Sequence, residues 1–127
     1  MTNAEPVYHL ALRDIHAAAG ATFGLHAGWS LPLSYGDVVA EHEALRTRAV
    51  AFDRSNRSRI LVSGTDALDV LKAVFAGHVE EIDEGRAMRT VSLDAEGTIA
   101  DLALIARTGG IAYFVSGEPG RRFDTLA

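Results

Sequence analysis

Three strand-like runs in the second half of the chain, Ala87 to Leu93, Ile99 to Ala106 and Ile111 to Val115, follow one another with only Asp94-Ala95-Glu96-Gly97 and Thr108-Gly109-Gly110 between them. Short glycine-bearing connectors of this kind are what hairpin turns require, so neighbouring runs should pair antiparallel. Upstream, Arg59 to Val62 alternates as a strand, and Ser63-Gly64-Thr65 turns the chain into a helix from Asp66 to Phe75. That helix would bury Leu68, Leu71, Val74 and Phe75 on one face. Gly77 to Gly85 is rich in turn residues, and Glu118 to Ala127 begins as a turn and ends as the start of another helix. The order predicts an α+β architecture, an antiparallel sheet with helices on one face.

The first half reads differently. Between Tyr8 and Ala19, Leu12, Ile15 and the alanines recur at helical spacing, with Gly20 where a helix would end. Ala27 to Asp37 carries Gly28, Pro32, Ser34 and Gly36 around Trp29, the single tryptophan, and reads as a loop. Asp37 is placed to cap a second helix whose Val38, Val39, His42, Leu45 and Val50 fall near one stripe, ending before Asp53. The expectation is an N-terminal helical segment over residues 1–53 with no sheet of its own, followed by an α+β sheet module over 54–127.

Composition sets the outer limits. The chain has 127 residues, 48% of them hydrophobic, which is enough for one packed core. With no cysteine there is no disulfide framework, thiolate metal site or cysteine nucleophile, and a reducing cytoplasmic setting fits best. No basic start followed by an apolar run marks the N-terminus, and no 18-residue apolar run occurs, so neither export nor membrane insertion is expected. A net charge of −5, with Lys72 as the single lysine, argues against nucleic-acid binding. The arginines cluster at Arg54, Arg57 and Arg59 and again at Arg121 and Arg122, leaving a small anionic ligand or an acidic partner open.

Motif chemistry is mostly excluded. The five histidines, His9, His16, His26, His42 and His78, form no ligand signature. His42-Glu43-Ala44-Leu45-Arg46 starts like a zinc-protease helix but has Arg46 where the second histidine must stand, so no metal is expected. No G-x-S-x-G elbow, phosphate-binding loop or dinucleotide fingerprint occurs.

A family resemblance does emerge, from six segments in order. Ala27-Gly28-Trp29-Ser30-Leu31-Pro32-Leu33-Ser34-Tyr35 resembles F-A-G-W-x-M-P-x-x-Y, and Val39-Ala40-Glu41-His42 with Ala44-Leu45-Arg46 resembles V-x-x-E-H-x-A-V-R. Phe52-Asp53-Arg54-Ser55 resembles F-D-V-S, Gly64-Thr65-Asp66-Ala67 resembles G-P-D-A, and Gly85-Arg86-Ala87 resembles G-x-A. Gly97-Thr98-Ile99-Ala100-Asp101-Leu102 resembles G-G-V-I-D-D-L. The set is similar to the N-terminal third of glycine-cleavage T-proteins and related folate-dependent methyltransferases and demethylases.

The resemblance implies a fold built around a tetrahydrofolate channel and transfer of a one-carbon unit from an amine to folate. The family's folate-site aspartate corresponds to Asp101. A carboxylate suits that chemistry, because it can orient a folate nitrogen, relay its proton and stabilise positive charge developing at the transferred carbon. Without the resemblance, Asp101 reads as a turn or strand-edge residue.

Departures from the family pattern fall at other channel positions. Ser55-Asn56-Arg57 replaces the family's S-H-M, so Asn56 and Arg57 stand where a histidine and a methionine line the channel. Arg89 stands in place of a tyrosine, and Ser116 is matched to an asparagine. The cofactor-binding set carried over is therefore Asn56, Arg57, Arg89, Asp101 and Ser116. Two readings of the arginines stay open, a strengthened anion contact and ordinary solvated strand residues.

Family members are much longer, so the resemblance implies that apolar surface on the first half meets further polypeptide, either a second chain or another copy. The expected function is a small subunit of a split tetrahydrofolate-dependent methyl or aminomethyl transferase. The alternatives are a catalytically inactive interaction or regulatory subunit and a folate-independent demethylase component.

Overall fold

The computed structural model describes residues 7–119, which fall into two compact units divided between Asn56 and Arg57. The helix start expected near the C-terminus falls mostly outside the described residues.

The second unit is the α+β module. Its strands are β4 (Ile60–Ser63), β5 (Phe75–Ala76), β6 (Ala87–Leu93), β7 (Ile99–Gly109) and β8 (Ala112–Gly117), with helix α3 (Ala67–Val74) and a 3-10 turn at Val79–Glu81. They form one antiparallel sheet in the order β4-β8-β7-β6-β5. The β6–β7 hairpin closes through Asp94, whose Oδ1 accepts from the backbone N–H of Glu96 and of Thr98, at 3.1 and 2.8 Å. An aspartate folding back on its own turn in this way is the reason such residues punctuate strands.

Alternation along the strands decides which face is covered. Ala103 and Ile105 of β7 and Tyr113 and Val115 of β8 point inward and pack with Ala67, Leu71, Phe75, Val79 and Ile82. Leu71, Val79, Ile105 and Val115 are the most completely buried. The helix lies over the sheet because its apolar residues share one stripe and need a partner. Of the face predicted for it, Leu71 and Phe75 are buried, Leu68 is half-buried against the core and Val74 is exposed. The opposite sheet face shows Leu61, Leu102 and Leu104 to solvent.

The first unit corrects the expectation that residues 1–53 lack a sheet. Strands β1 (Tyr8–His9), β2 (Thr22–His26) and β3 (Trp29–Ser34) form a three-stranded sheet in the order β1-β3-β2. The presumed loop around Trp29 is strand β3, joined to β2 by the two-residue turn Ala27-Gly28. Both turn residues have positive φ, 48° and 76°, as a type I′ hairpin turn demands. Ala27 is a poor match to that requirement, so the turn leaves little trace in the sequence. Pro32 hides the strand further, since it cannot donate to a ladder. It is tolerated because β1 pairs with β3 only at Trp29 and Ser30, which leaves Pro32 on an open edge.

The first helix is correspondingly short. The helical pattern expected over Tyr8 to Ala19 shrinks to α1 (Arg13–Ala18), because Tyr8 and His9 are taken up by β1. Helix α2 (Val38–Thr47) starts as expected, with Asp37 Oδ1 accepting from Val39 N at 3.0 Å and Ala40 N at 3.1 Å. It buries none of its residues. Val38, Val39 and Leu45 remain exposed, and among the described hydrophobics of this unit only Leu10 and Trp29 are buried.

Candidate functional site

Asp101 enters the sheet near the start of β7, on the same face as Ala103 and Ile105, where the apolar core gives way to polar residues. It is 3% exposed, and Ser58, Thr90 and Ser92 are buried as well. Ser92 is its cross-strand partner on β6. The end of β8 approaches from the other side, where Glu118 N donates to Asp101 Oδ1 at 3.2 Å and Gly117 N donates to Ser58 Oγ at 2.8 Å.

Gly117 is what lets these groups converge. A side chain built on its α-carbon would overlap Asp101 Oδ2 and Ser58 Oγ, so the carboxylate and the hydroxyl occupy the space a Cβ would take. Sequence reasoning missed Gly117, because a glycine just past a strand reads as a turn residue. The available signal was strand parity, which puts 113, 115 and 117 on one face.

The other expected site residues divide. Arg57 lies close to the Asp101 group, with its Nη2 2.7 Å from Glu118 Oε1 and 2.9 Å from Oε2. Its charge is therefore engaged by a neighbouring carboxylate, which weakens the anion-contact reading. Asn56, the last residue of the first unit, is 6% exposed. Arg89 and Ser116 both pair with Leu104 across the sheet, so all three share the face opposite Asp101. The structure does not gather Arg89 and Ser116 around the same point as Asp101. Among the described residues, no group of three or more His, Asp or Glu side chains is arranged to hold a metal ion.

The first unit holds a second polar constellation. His16 of α1 places Nε2 3.0 Å from Asp53 Oδ2 and Nδ1 2.6 Å from the Tyr35 hydroxyl. Burial works to raise the pKa of Asp53, but hydrogen bonds with His16 and Ser55 outweigh it and hold the carboxyl below the ordinary value of 3.8. An ionised Asp53 only accepts, so Nε2 of His16 donates to it, and in the neutral ring Nδ1 then accepts from Tyr35. Tyr35 and Asp53 line an apolar groove of about 570 Å³ together with Leu33, Val38, Leu45 and Phe52. His16 thus ties the end of β3 to the segment that follows α2. Among the described residues, no helix is long and apolar enough to cross a membrane.

Comparison with known proteins gives consistent matches. Residues 12–126 match the family described as the GCVT N-terminal domain. The aminomethyltransferase of Saccharopolyspora erythraea is 38% identical over 104 residues, 82% of this chain and 28% of the relative. A probable aminomethyltransferase of Aeropyrum pernix is 41% identical over 80 residues, 63% of this chain and 21% of its own length. The crystal structure of glycine cleavage system aminomethyltransferase T from Bartonella henselae superposes with a TM-score of 0.80 at 31% identity, covering 90% of this chain and 32% of that one. The chain thus spans less than a third of the length of these relatives.

Proposed function

The chain belongs to the glycine-cleavage T-protein, or aminomethyltransferase, family through its GCVT N-terminal domain, and from that premise we propose that it contributes the Asp101 part of a tetrahydrofolate-dependent methyl or aminomethyl transfer site. The observation that carries this reading is the buried Asp101 carboxylate, set among Ser58, Ser92 and the end of β8 within the matched region. Hydrogen-bonding groups at the edge of an apolar core suit a ligand that is part ring and part amine. Tetrahydrofolate, when bound, supplies the nitrogen that receives the one-carbon unit. As a carboxylate, Asp101 would accept a hydrogen bond from that nitrogen and favour positive charge at the carbon in transit, taking up the nitrogen's proton only as the new bond to the carbon forms.

The exposed groove and the bare face of α2 support the further proposal that polypeptide corresponding to the rest of the relatives' length covers the first unit, as a second chain or another copy. A cytoplasmic setting, suggested by the absence of cysteine, belongs to the same reading. The exposed apolar surface equally suits the second reading, an inactive interaction or regulatory subunit.

Calorimetry with tetrahydrofolate separates the two. The transfer reading expects binding once the chain is assembled with its covering polypeptide, and loss of transfer in Asp101→Asn with assembly intact. Absence of folate binding both alone and in the assembly rejects it in favour of the interaction subunit.

A further inference from the structure

We infer that Arg57 and Glu118 are positioning residues that hold the Asp101 carboxylate in place. The inference deepens the transfer-site reading and rests on it for its consequence in catalysis, but not for its geometry. The β4–β8 ladder ends at the pair Ile60 and Val115. Beyond that pair the two strands stay together through side chains. Ser58 Oγ accepts from Gly117 N, and Arg57 grips both carboxylate oxygens of Glu118. These contacts fix the backbone at residues 117 and 118, and that backbone in turn meets Asp101. Glu118 N donates to Oδ1, while Oδ2 lies against Gly117 where any side chain would collide with it.

The energetics separate positioning from simple stabilisation. Arg57 and Glu118 side chains are 23% and 40% exposed. An ion pair with that much water contact adds little to global stability and is weakened by salt. Its effect is local, on where the Glu118 N–H points. Asp101 is almost fully buried, so small changes in the direction of its donors change the environment of the carboxylate more than they would at a surface. Arg57 stands where the family pattern has a methionine, so the Arg57 half of the grip departs from that pattern.

The test uses the full 127-residue chain labelled with 15N, following the Glu118 amide by NMR through an acid titration. The part of that amide's acid response that Asp101→Asn removes, leaving only the response to Glu118's own carboxyl, reports the contact between Glu118 N–H and Asp101 Oδ1. Arg57→Ala and Glu118→Ala should each reduce that part by roughly half or more, as expected for a donor moved out of hydrogen-bond range, with the urea midpoint nearly unchanged. The double variant should go no further than either single one, and Arg57→Lys, which can still pair with Glu118, should restore most of it. Gly117→Ala should abolish it directly by displacing the carboxylate. Full retention of that part in Arg57→Ala and Glu118→Ala overturns the inference. Should Arg57→Ala unfold, Glu118→Gln gives the same decision, since it keeps the shape and removes the charge. None of these measurements needs folate, so failure of folate binding would reject the transfer reading while leaving this one standing.

Discussion

The two units bury their apolar residues very differently. The second unit gathers nine buried hydrophobics into one cluster between α3 and the sheet, whereas the first has only Leu10 and Trp29 buried among its described hydrophobics. Helix α2 is well capped and yet packs none of its side chains away. One unit is held by its core, and the other by capping, hairpin hydrogen bonds and the His16 constellation. Good local signals make an element form, but a covered apolar stripe is what makes it stable within its own unit.

The sharpest way to break this contrast is a matched pair of truncations. Leu71→Ala should cost about 2–5 kcal/mol, because it opens a cavity in the packed core of the second unit. Val39→Ala on the bare face of α2 should stay within about 0.5 kcal/mol in the isolated chain. Urea unfolding of the two variants measures both. Equal losses would mean that α2 is covered after all.

A pH series sharpens the role of polar contacts in the first unit. Asp53 has its carboxyl pKa lowered in the folded chain, so it contributes stability that is present above the ordinary value of 3.8 and is lost as pH falls through the lower folded value. Asp53→Asn should therefore destabilise the first unit by about 1 kcal/mol near neutral pH, where a part-buried hydrogen bond to a charged group is lost. The gap from the unaltered chain should close in acid. Thermal unfolding monitored by Trp29 fluorescence across pH checks this, and a constant gap would contradict the assignment.

The smallest expected effect is a gain. Ala27 holds a left-handed conformation that favours asparagine or glycine over alanine. Ala27→Asn should stabilise the β2–β3 hairpin by up to about 1 kcal/mol, read as slower amide exchange at His26 and Trp29, the pair that flanks the turn.

The same residues explain how far the sequence could be read. The α+β module was legible because turn chemistry, period-two alternation and the α3 stripe all agree, and β6 spans the residues expected of it. The β2–β3 hairpin was not, since its turn has alanine at a position that usually announces itself with asparagine, and Pro32 argues against a strand. The boundary of α1 was misplaced because Tyr8 and His9 pair with Trp29 and Ser30, a long-range choice that helical periodicity cannot show. For the candidate site, Asp101 could be named from its motif and its strand. That Arg89 and Ser116 face away from it depends on strand register, and the convergence of Gly117, Ser58 and Glu118 on it depends on a contact across about 60 positions.

The strand order has a consequence for handling the protein. β7, at 11 residues the longest strand, lies between β6 and β8, while the margins of its sheet are β4 and the two-residue β5. Short margins offer few open backbone groups to a neighbouring molecule, so the long β7 stays sealed inside its sheet. Association through this sheet should therefore use its bare apolar face, with Leu61, Leu102 and Leu104, rather than strand addition at its margins.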